Sequence, residues 1–543
     1  GFRPDQDLIL IRTQHPQLLE ARSVAGMSGS PVYLEDRLIG AYAYGWSFGL
    51  QPLAGVTPIR NMLDELQRPL DRKLPGWFGP LPAPPGPVSD SRQYYKAPFR
   101  SVPFAKLTSG LPKRPPESGG LRRLNTPLLL GGMPGDVATW LGERLAPLGW
   151  HAVQATGGAA TDTKVGTPKR FENGGAIAVQ LLRGDIRATG VGTVTQVHDR
   201  HLLAFGHPMM NAGQVALPTA HARVLHIMAS RRLSFKMAEA LQRAGTLVND
   251  RQAAIVVDTQ AQARTLPIRI TVRGAPGVAE RRWSVEAAQD RRLTPGLVMG
   301  ALASALRATA SDQMPMRFTV RGTARIAGHG SVRFENESFG TNGVAQLQAL
   351  LSMRMLDLME VVYENPFELG RVEELDVEVL LKPGIELVEL MAVHTHSRVV
   401  NPGSSIDVTL RLRPFGDVIE ERRIQVPIPR NLAGQEVTLK FDAGDTVQPP
   451  WAIPRDFDAL IELVNSSYPA SSLVVSLEQP GRGLRMSGHV VENLPASMLD
   501  AMMATSGTRH GRLLASQHRQ VIDLDRIVTG EAKLKLEVRK QAR

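Results

Sequence analysis

Short apolar runs bracketing tight polar turns constrain this chain more than any other feature. Val32-Tyr33-Leu34 and Leu38-Ile39-Gly40-Ala41-Tyr42 flank Glu35-Asp36-Arg37, and Val191-Gly192-Thr193-Val194-Thr195 and Leu202-Leu203-Ala204-Phe205 flank His198-Asp199-Arg200. Runs of strand length around a polar turn read as β-hairpins. Leu8-Ile9-Leu10-Ile11 reads as a buried strand, and alternation continues at Ile268–Val272, Arg317–Val320 and Ser405–Leu412. Such repeated period-two patterning predicts a mainly β fold. Helical spacing is confined to Ile59–Leu66, a stretch around Asp136–Leu145, a Met- and Leu-rich tract at 343–362 and Phe457–Val464. The methionines of that tract read as core filler.

At 543 residues the chain is long enough for three or four domains. Prolines 75, 80, 82, 84, 85, 87, 98, 103, 112, 115 and 116 cannot donate ladder hydrogen bonds, so this tract reads as a linker or extended arm. The expected order is a first β segment at 1–75, the Pro-rich arm at 76–125 and a second β segment at 126–335. A helical connector at 336–385, a β-sandwich-like module at 386–453 and a C-terminal α+β region at 454–543 follow. No chemistry stands out in the last of these.

Composition narrows the function. The absence of cysteine excludes a disulfide framework, a thiolate metal site and a cysteine nucleophile. Of the 63 basic residues 12 are lysine, and the net charge of +11 is spread along the chain without an aromatic-interleaved stripe, which argues against nucleic-acid binding. No run approaches the ~18 apolar residues of a membrane span. The chain begins at Gly1 without a leader and reads as a processed product, for which export to the periplasm, cell surface or medium is the expectation. His198, His201, His207, His221 and His226 cluster in sequence, and His394 and His396 share a strand face. Catalytic zinc usually takes three ligands at defined spacing, often with a carboxylate, so no metal or other cofactor is expected.

The chemistry concentrates in Ala25-Gly26-Met27-Ser28-Gly29-Ser30-Pro31. A serine between glycines in a tight turn can present its hydroxyl while backbone N–H groups converge on one point, which is what acyl transfer requires. Ser28 is then the nucleophile, with the amides of Gly26 and Ser28 as oxyanion hole. The α/β-hydrolase elbow is excluded because position 30 is Ser and a hairpin follows, and a Ser-x-x-Lys site because the first lysine is Lys73. A serine needs a base. Among 13 histidines, His207 in Ala204-Phe205-Gly206-His207-Pro208 lies at a strand end where the chain turns.

Residues 26–31 resemble the Gly-x-Ser-Gly-x-Pro loop of chymotrypsin-like peptidases. Val32–Tyr42 looks like their post-serine hairpin and Tyr42-Ala43-Tyr44-Gly45 like their substrate-pairing strand. Gly55-Val56-Thr57-Pro58 with the helix at Ile59 looks like the end of their second barrel. More specifically, Gly192-Thr193-Val194 through Gly206-His207, Gly245-Thr246-Leu247 and the serine motif resemble the stage IV sporulation protein B family of serine peptidases, over roughly residues 5–66 and 176–260. The resemblance implies a chymotrypsin-like double β-barrel built from two separated segments. It implies peptide hydrolysis with Ser28 as nucleophile and His207 as base, on a protein or peptide substrate. Two departures stand out. Ser28 precedes His207, the reverse of the family order, and His15 occupies the family aspartate position ahead of Pro16-Gln17-Leu18-Leu19. Asp7, Asp250, His15 or no residue at all then completes the triad. No match to the family's peptide-binding module occurs. The rival reading is a weakly active or inactive peptidase fold that binds protein partners, for instance through the β-sandwich.

Overall fold

The structure, a computed structural model, describes residues 6–46, 53–71, 121–154, 168, 170–230, 234–274, 277, 279–310, 314–341, 354–365, 367–447, 456–466, 468–486, 489–491, 494–495, 497–498, 500–501 and 512–540. The tract of prolines 75–116 lies outside them. The described residues are mainly β, as the hairpin patterning predicts.

The segment carrying the serine contributes β1 (Ile9–Arg12), α1 (Pro16–Ala21), β2 (Val24–Ala25), β3 (Ser30–Leu34), β4 (Arg37–Trp46), β5 (Leu53–Pro58) and α2 (Ile59–Asp64). The sheet runs β1-β5-β4-β3. The polar turn at Glu35-Asp36 closes the expected β3–β4 hairpin, both residues taking positive φ. A short strand from beyond the Pro-rich tract, β6 (Leu121–Arg123), joins this sheet. It pairs with Tyr44–Trp46 while β5 pairs with Tyr44 and Gly45, so it extends the β4 edge that β3 occupies further back.

The segment carrying the histidine begins with β7 (Thr126–Gly131), α3 (Gly135–Leu145) and β8 (Trp150–Gln154). It continues with β9 (Ala176–Gly184), β10 (Arg187–His198), β11 (His201–Ala204), β12 (Gly213–Met228), β13 (Ser234–Asp250) and β14 (Ile255–Asp258). Each strand in the sequence β9-β10-β11-β14-β13-β12 is antiparallel to the next, and β12 returns to β9, so six strands close a ring. Closure removes both sheet edges. The small residues Ala178, Ala220 and Ala222 line one contact of the ring, and Leu202, Val194, Ile255 and Val257 fill its core.

The same sheet extends through β15 (Thr265–Arg273) and β16 (Arg281–Ala288) to β17 (Met316–Ile326), β18 (Gly330–Gly340) and β19 (Val372–Pro383). Against it packs α4 (Thr294–Thr309), whose apolar residues are all buried except Ala308. The helical connector expected at 336–385 is helical in its described part only at α5 (Arg354–Glu364). Val372–Pro383 is a strand between β15 and β17 because Leu375, Val377, Val379 and Leu381 bury one face at period two.

The regions expected separately at 386–453 and 454–543 share one core. One sheet holds β20 (Leu387–His394), β22 (Ser405–Pro414), β23 (Glu420–Pro427) and β28 (Ile527–Thr529). The other holds β21 (Val399–Val400), β24 (Glu436–Ala443), β25 (Ser472–Met486), β26 (His489–Val491), β27 (Arg512–Asp523) and β29 (Glu531–Val538). Strands from both ends of this stretch bury Val408, Leu410, Leu439, Phe441, Leu473, Leu534 and Leu536 together. The intervening α6 (Phe457–Asn465) leaves the sandwich and buries Phe457, Leu460 and Ile461 in the first core beside α5.

Candidate active site

Ser28 lies in the turn between β2 and β3, and β10 of the closed ring fixes that turn. Thr193 Oγ1 donates to the Gly26 carbonyl (3.1 Å), the Thr193 amide to the Ser28 carbonyl (3.0 Å) and Thr195 Oγ1 to the Gly29 carbonyl (2.7 Å). The amides of Met27, Gly29 and Ser30 go to the carbonyls of Val24, Tyr42 and Met27. Gly26 and Ser28, the expected oxyanion donors, carry the N–H groups that alternate with these. Gly29 is demanded twice over: its φ is +93°, and a Cβ there would sit 2.1 Å from the Thr193 carbonyl oxygen.

His207 reaches the same neighbourhood from the end of β11. Phe205, fully buried at φ +68°, and Gly206 turn the chain through left-handed backbone, an arrangement of order 1–3 kcal/mol for Phe that surrounding contacts must hold. Gly206 packs on Ala41 and Ala43 of β4, and Thr57 Oγ1 donates to its carbonyl. Gly29 is bonded to Tyr42 of that same strand, so β4 receives both halves of the site. The imidazole lies edge-on to Phe205 and Tyr44, with centroids 6.1 and 6.4 Å away.

His207 Nδ1 is 2.8 Å from the Pro208 carbonyl oxygen. That oxygen only accepts, so Nδ1 carries the proton and Nε2 presents a lone pair. Burial pushes the imidazole pKa down to about 4, with the Pro208 bond opposing and Arg123 adding to the fall. Neutral imidazole is therefore the form at neutral pH. No hydrogen bond joins Ser28 to His207: Ser28 Oγ and His207 Nε2 are both buried without a partner among the described residues, their residues 0% and 1% exposed.

Among the described residues no carboxylate is bonded to Nδ1. Asp7 is exposed, and exposed His15 caps α1, its Nδ1 accepting from the Gln17 amide. Asp250 is fully buried but serves the loop after His207. Its Oδ1 accepts from the Met209 amide (2.7 Å) and its Oδ2 from those of Met210 (2.7 Å) and Ala212 (3.2 Å). Burial pushes its carboxyl upward, while these amides and Arg123 pull the other way. Asp250 thus holds Pro208–Ala212 in place, and the Pro208 carbonyl occupies the position at Nδ1.

Lys236 is a member of the site that sequence reading does not find. Only 7% exposed, it donates from Nζ to Thr193 Oγ1 (2.9 Å), the hydroxyl that holds Gly26. Burial pushes its pKa down to about 8. The other histidines are dispersed: His198 and His201 face each other across a turn, and His221 packs on the Phe171 ring at 4.3 Å. Among the described residues no group of three metal-ligating side chains is placed to hold a metal ion, and no helix is long and apolar enough to cross a membrane.

Comparison with known proteins finds no family model that matches the chain, no curated protein similar to it and no solved structure that matches it.

Proposed function

We propose that the chain is a serine peptidase with Ser28 as nucleophile and His207 as general base, in a chymotrypsin-like arrangement of a closed histidine half and an open serine half. The observation that carries this reading is the pair of buried, unpartnered atoms, Ser28 Oγ and His207 Nε2, on two turns that the same strand, β4, holds. Buried polar groups are nearly always satisfied, and a donor and a lone pair left over together suit a step in which one gives its proton to the other. Ser28 Oγ bonds to the substrate carbonyl carbon as its proton passes to Nε2, and the Gly26 and Ser28 amides receive the oxyanion. His207 then protonates the leaving amine. Water, deprotonated by His207, releases the acyl group in the second half-reaction.

The Pro208 carbonyl supports a slow enzyme. It orients the ring as a carboxylate would but brings no charge to the imidazolium, and losing the carboxylate costs about 10⁴-fold in turnover in well-studied triads. A fluorophosphonate probe tests the reading. We expect covalent labelling of the folded protein at Ser28, loss of labelling in Ser28→Ala, and labelling slowed at least about a hundredfold in His207→Ala. No labelling of wild-type protein between about pH 6 and 9, where His207 is neutral, would favour the partner-binding scaffold; complete burial of both residues is the observation on that side.

A further inference from the structure

The edge of β4 beside the serine turn is occupied by a short piece of the chain itself. Leu121, Arg122 and Arg123 lie antiparallel to Trp46, Gly45 and Tyr44, and the Leu124 amide donates to the Ala43 carbonyl at 2.9 Å. That bond makes Tyr44 and Arg123 a non-hydrogen-bonded pair. By the alternation of antiparallel ladders, Gly45 and Arg122 are then the pair that exchanges both backbone bonds. The strand ends on a side chain with its own pocket. Leu124 is buried with Tyr42 and Ala54, and Met27, the residue before Ser28, packs against the same cluster. A Cβ on Gly45 would lie 2.4 Å from Ser23 Oγ and in ordinary contact with Leu124 Cδ2 at 3.4 Å, so the glycine makes room for Ser23 beside the leucine. An extended tract that borrows a sheet edge for its backbone and one pocket for its last side chain is bound as strand-adding peptides are.

We infer that Leu121–Leu124 occupies the groove in which the peptide substrate lies, with Leu124 in the pocket for the residue ahead of the scissile bond. The chain is then latent until this tract is displaced. The groove selects extended peptides with a leucine-sized apolar residue at that position. The inference rests on the peptidase reading for the identity of the bond cleaved, and it accounts for a nucleophile with no exposed surface. The occupant is a minimal strand of three paired residues, held besides by Arg123, whose Nη1 donates to the Pro208 carbonyl at 3.4 Å.

Two variants open the groove. Arg122→Pro removes the backbone donor opposite Gly45, and Leu124→Asp places a charge in the apolar pocket. Retained folding of each is read from circular dichroism, and either one that folds suffices. Binding of a fluorescein-labelled Leu-Arg-Arg-Leu amide, followed by anisotropy in a Ser28→Ala background, does not depend on catalysis. We expect the opened variants to bind it at least about tenfold more tightly than Ser28→Ala alone, and to bind a Leu-Arg-Arg-Asp amide no better than that parent does. With Ser28 present, fluorophosphonate labelling is expected to accelerate by about tenfold or more in the opened variants. Peptide binding without any labelling would support the groove and overturn the peptidase reading. Labelling equal in wild type and opened variants, or no peptide binding by a folded opened variant, would overturn the groove and leave the peptidase reading intact.

Discussion

At the scale of single residues, the serine turn depends on a relay that begins outside it. Thr193 has one hydroxyl proton, which it gives to the Gly26 carbonyl, and its oxygen accepts from Lys236 Nζ. The lysine thereby fixes the direction of the threonine proton, and the threonine fixes the Gly26–Met27 peptide, which lies between the two oxyanion amides. Thr193→Val keeps the shape and removes both bonds, whereas Thr193→Ser keeps the hydroxyl. Valine at 193 and Lys236→Met should each slow fluorophosphonate labelling of Ser28 by about tenfold, and the double variant should be no slower than the slower single. Serine at 193 should restore most of the rate. Additive losses in the double variant would show that the two residues act separately. Ser28 and His207 are legible in the sequence because glycine-flanked motifs mark the backbone they require. Lys236 is not, because a lysine in an alternating strand ordinarily faces water, whereas here β2 runs beside Ser234 and Phe235 and Gly26 lies against the lysine. The absent carboxylate is half legible: His15 marks the substitution, but nothing local reveals that Asp250 binds three amides instead of an imidazole.

At the scale of elements, hairpins and amphipathic helices follow their local patterns closely; the assignments that fail are decided by distant partners. Val372–Pro383 reads as part of a connector until β15 and β17 stand on either side of it, and α6 reads as part of the C-terminal region until Phe457 meets the other core. One ionisable contact secures α6. His329, in the turn between β17 and β18, is 2.6 Å from Asp458 at the start of α6 and 2.8 Å from Glu368, and its ring stands edge-on to Phe457. Burial opposes its charge, but the two carboxylates outweigh burial and raise its pKa above the ordinary value. A raised histidine pKa stabilises the fold fully below the unfolded value of about 6.5, and that stabilisation is lost as pH rises through the folded value. Because Asp458 is largely exposed, its worth is about 0.5–1 kcal/mol. The melting temperature of wild-type protein should therefore exceed that of His329→Gln at pH 5.5, and the gap should shrink by pH 9. A gap that is the same at both pH values would show that the contact acts through shape alone.

At the scale of the whole molecule, the two largest hydrophobic cores among the described residues lie under the large sheet and inside the C-terminal sandwich. Damage to the second should stay there. Phe441 is fully buried between the sheets of the sandwich, so Phe441→Ala should destabilise that core by about 3–5 kcal/mol. Hydrogen exchange should then quicken in peptides from Ser405–Pro414, while peptides from Val191–Ala204 and the labelling rate of Ser28 keep their wild-type values. Exchange that quickens equally in both would mean that the cores unfold as one. The dependence of the serine turn on β10 also has a meaning in time. A ribosome adds about 5–20 residues each second, so the 165 positions between Ser28 and Thr193 separate the emergence of the nucleophile from that of its support by roughly 8–33 s. Throughout that interval the nascent chain carries a serine loop without the bonds from β10 that hold it and without His207. On the proposed reading, a nascent chain not yet extended to His207 is inert towards its neighbours.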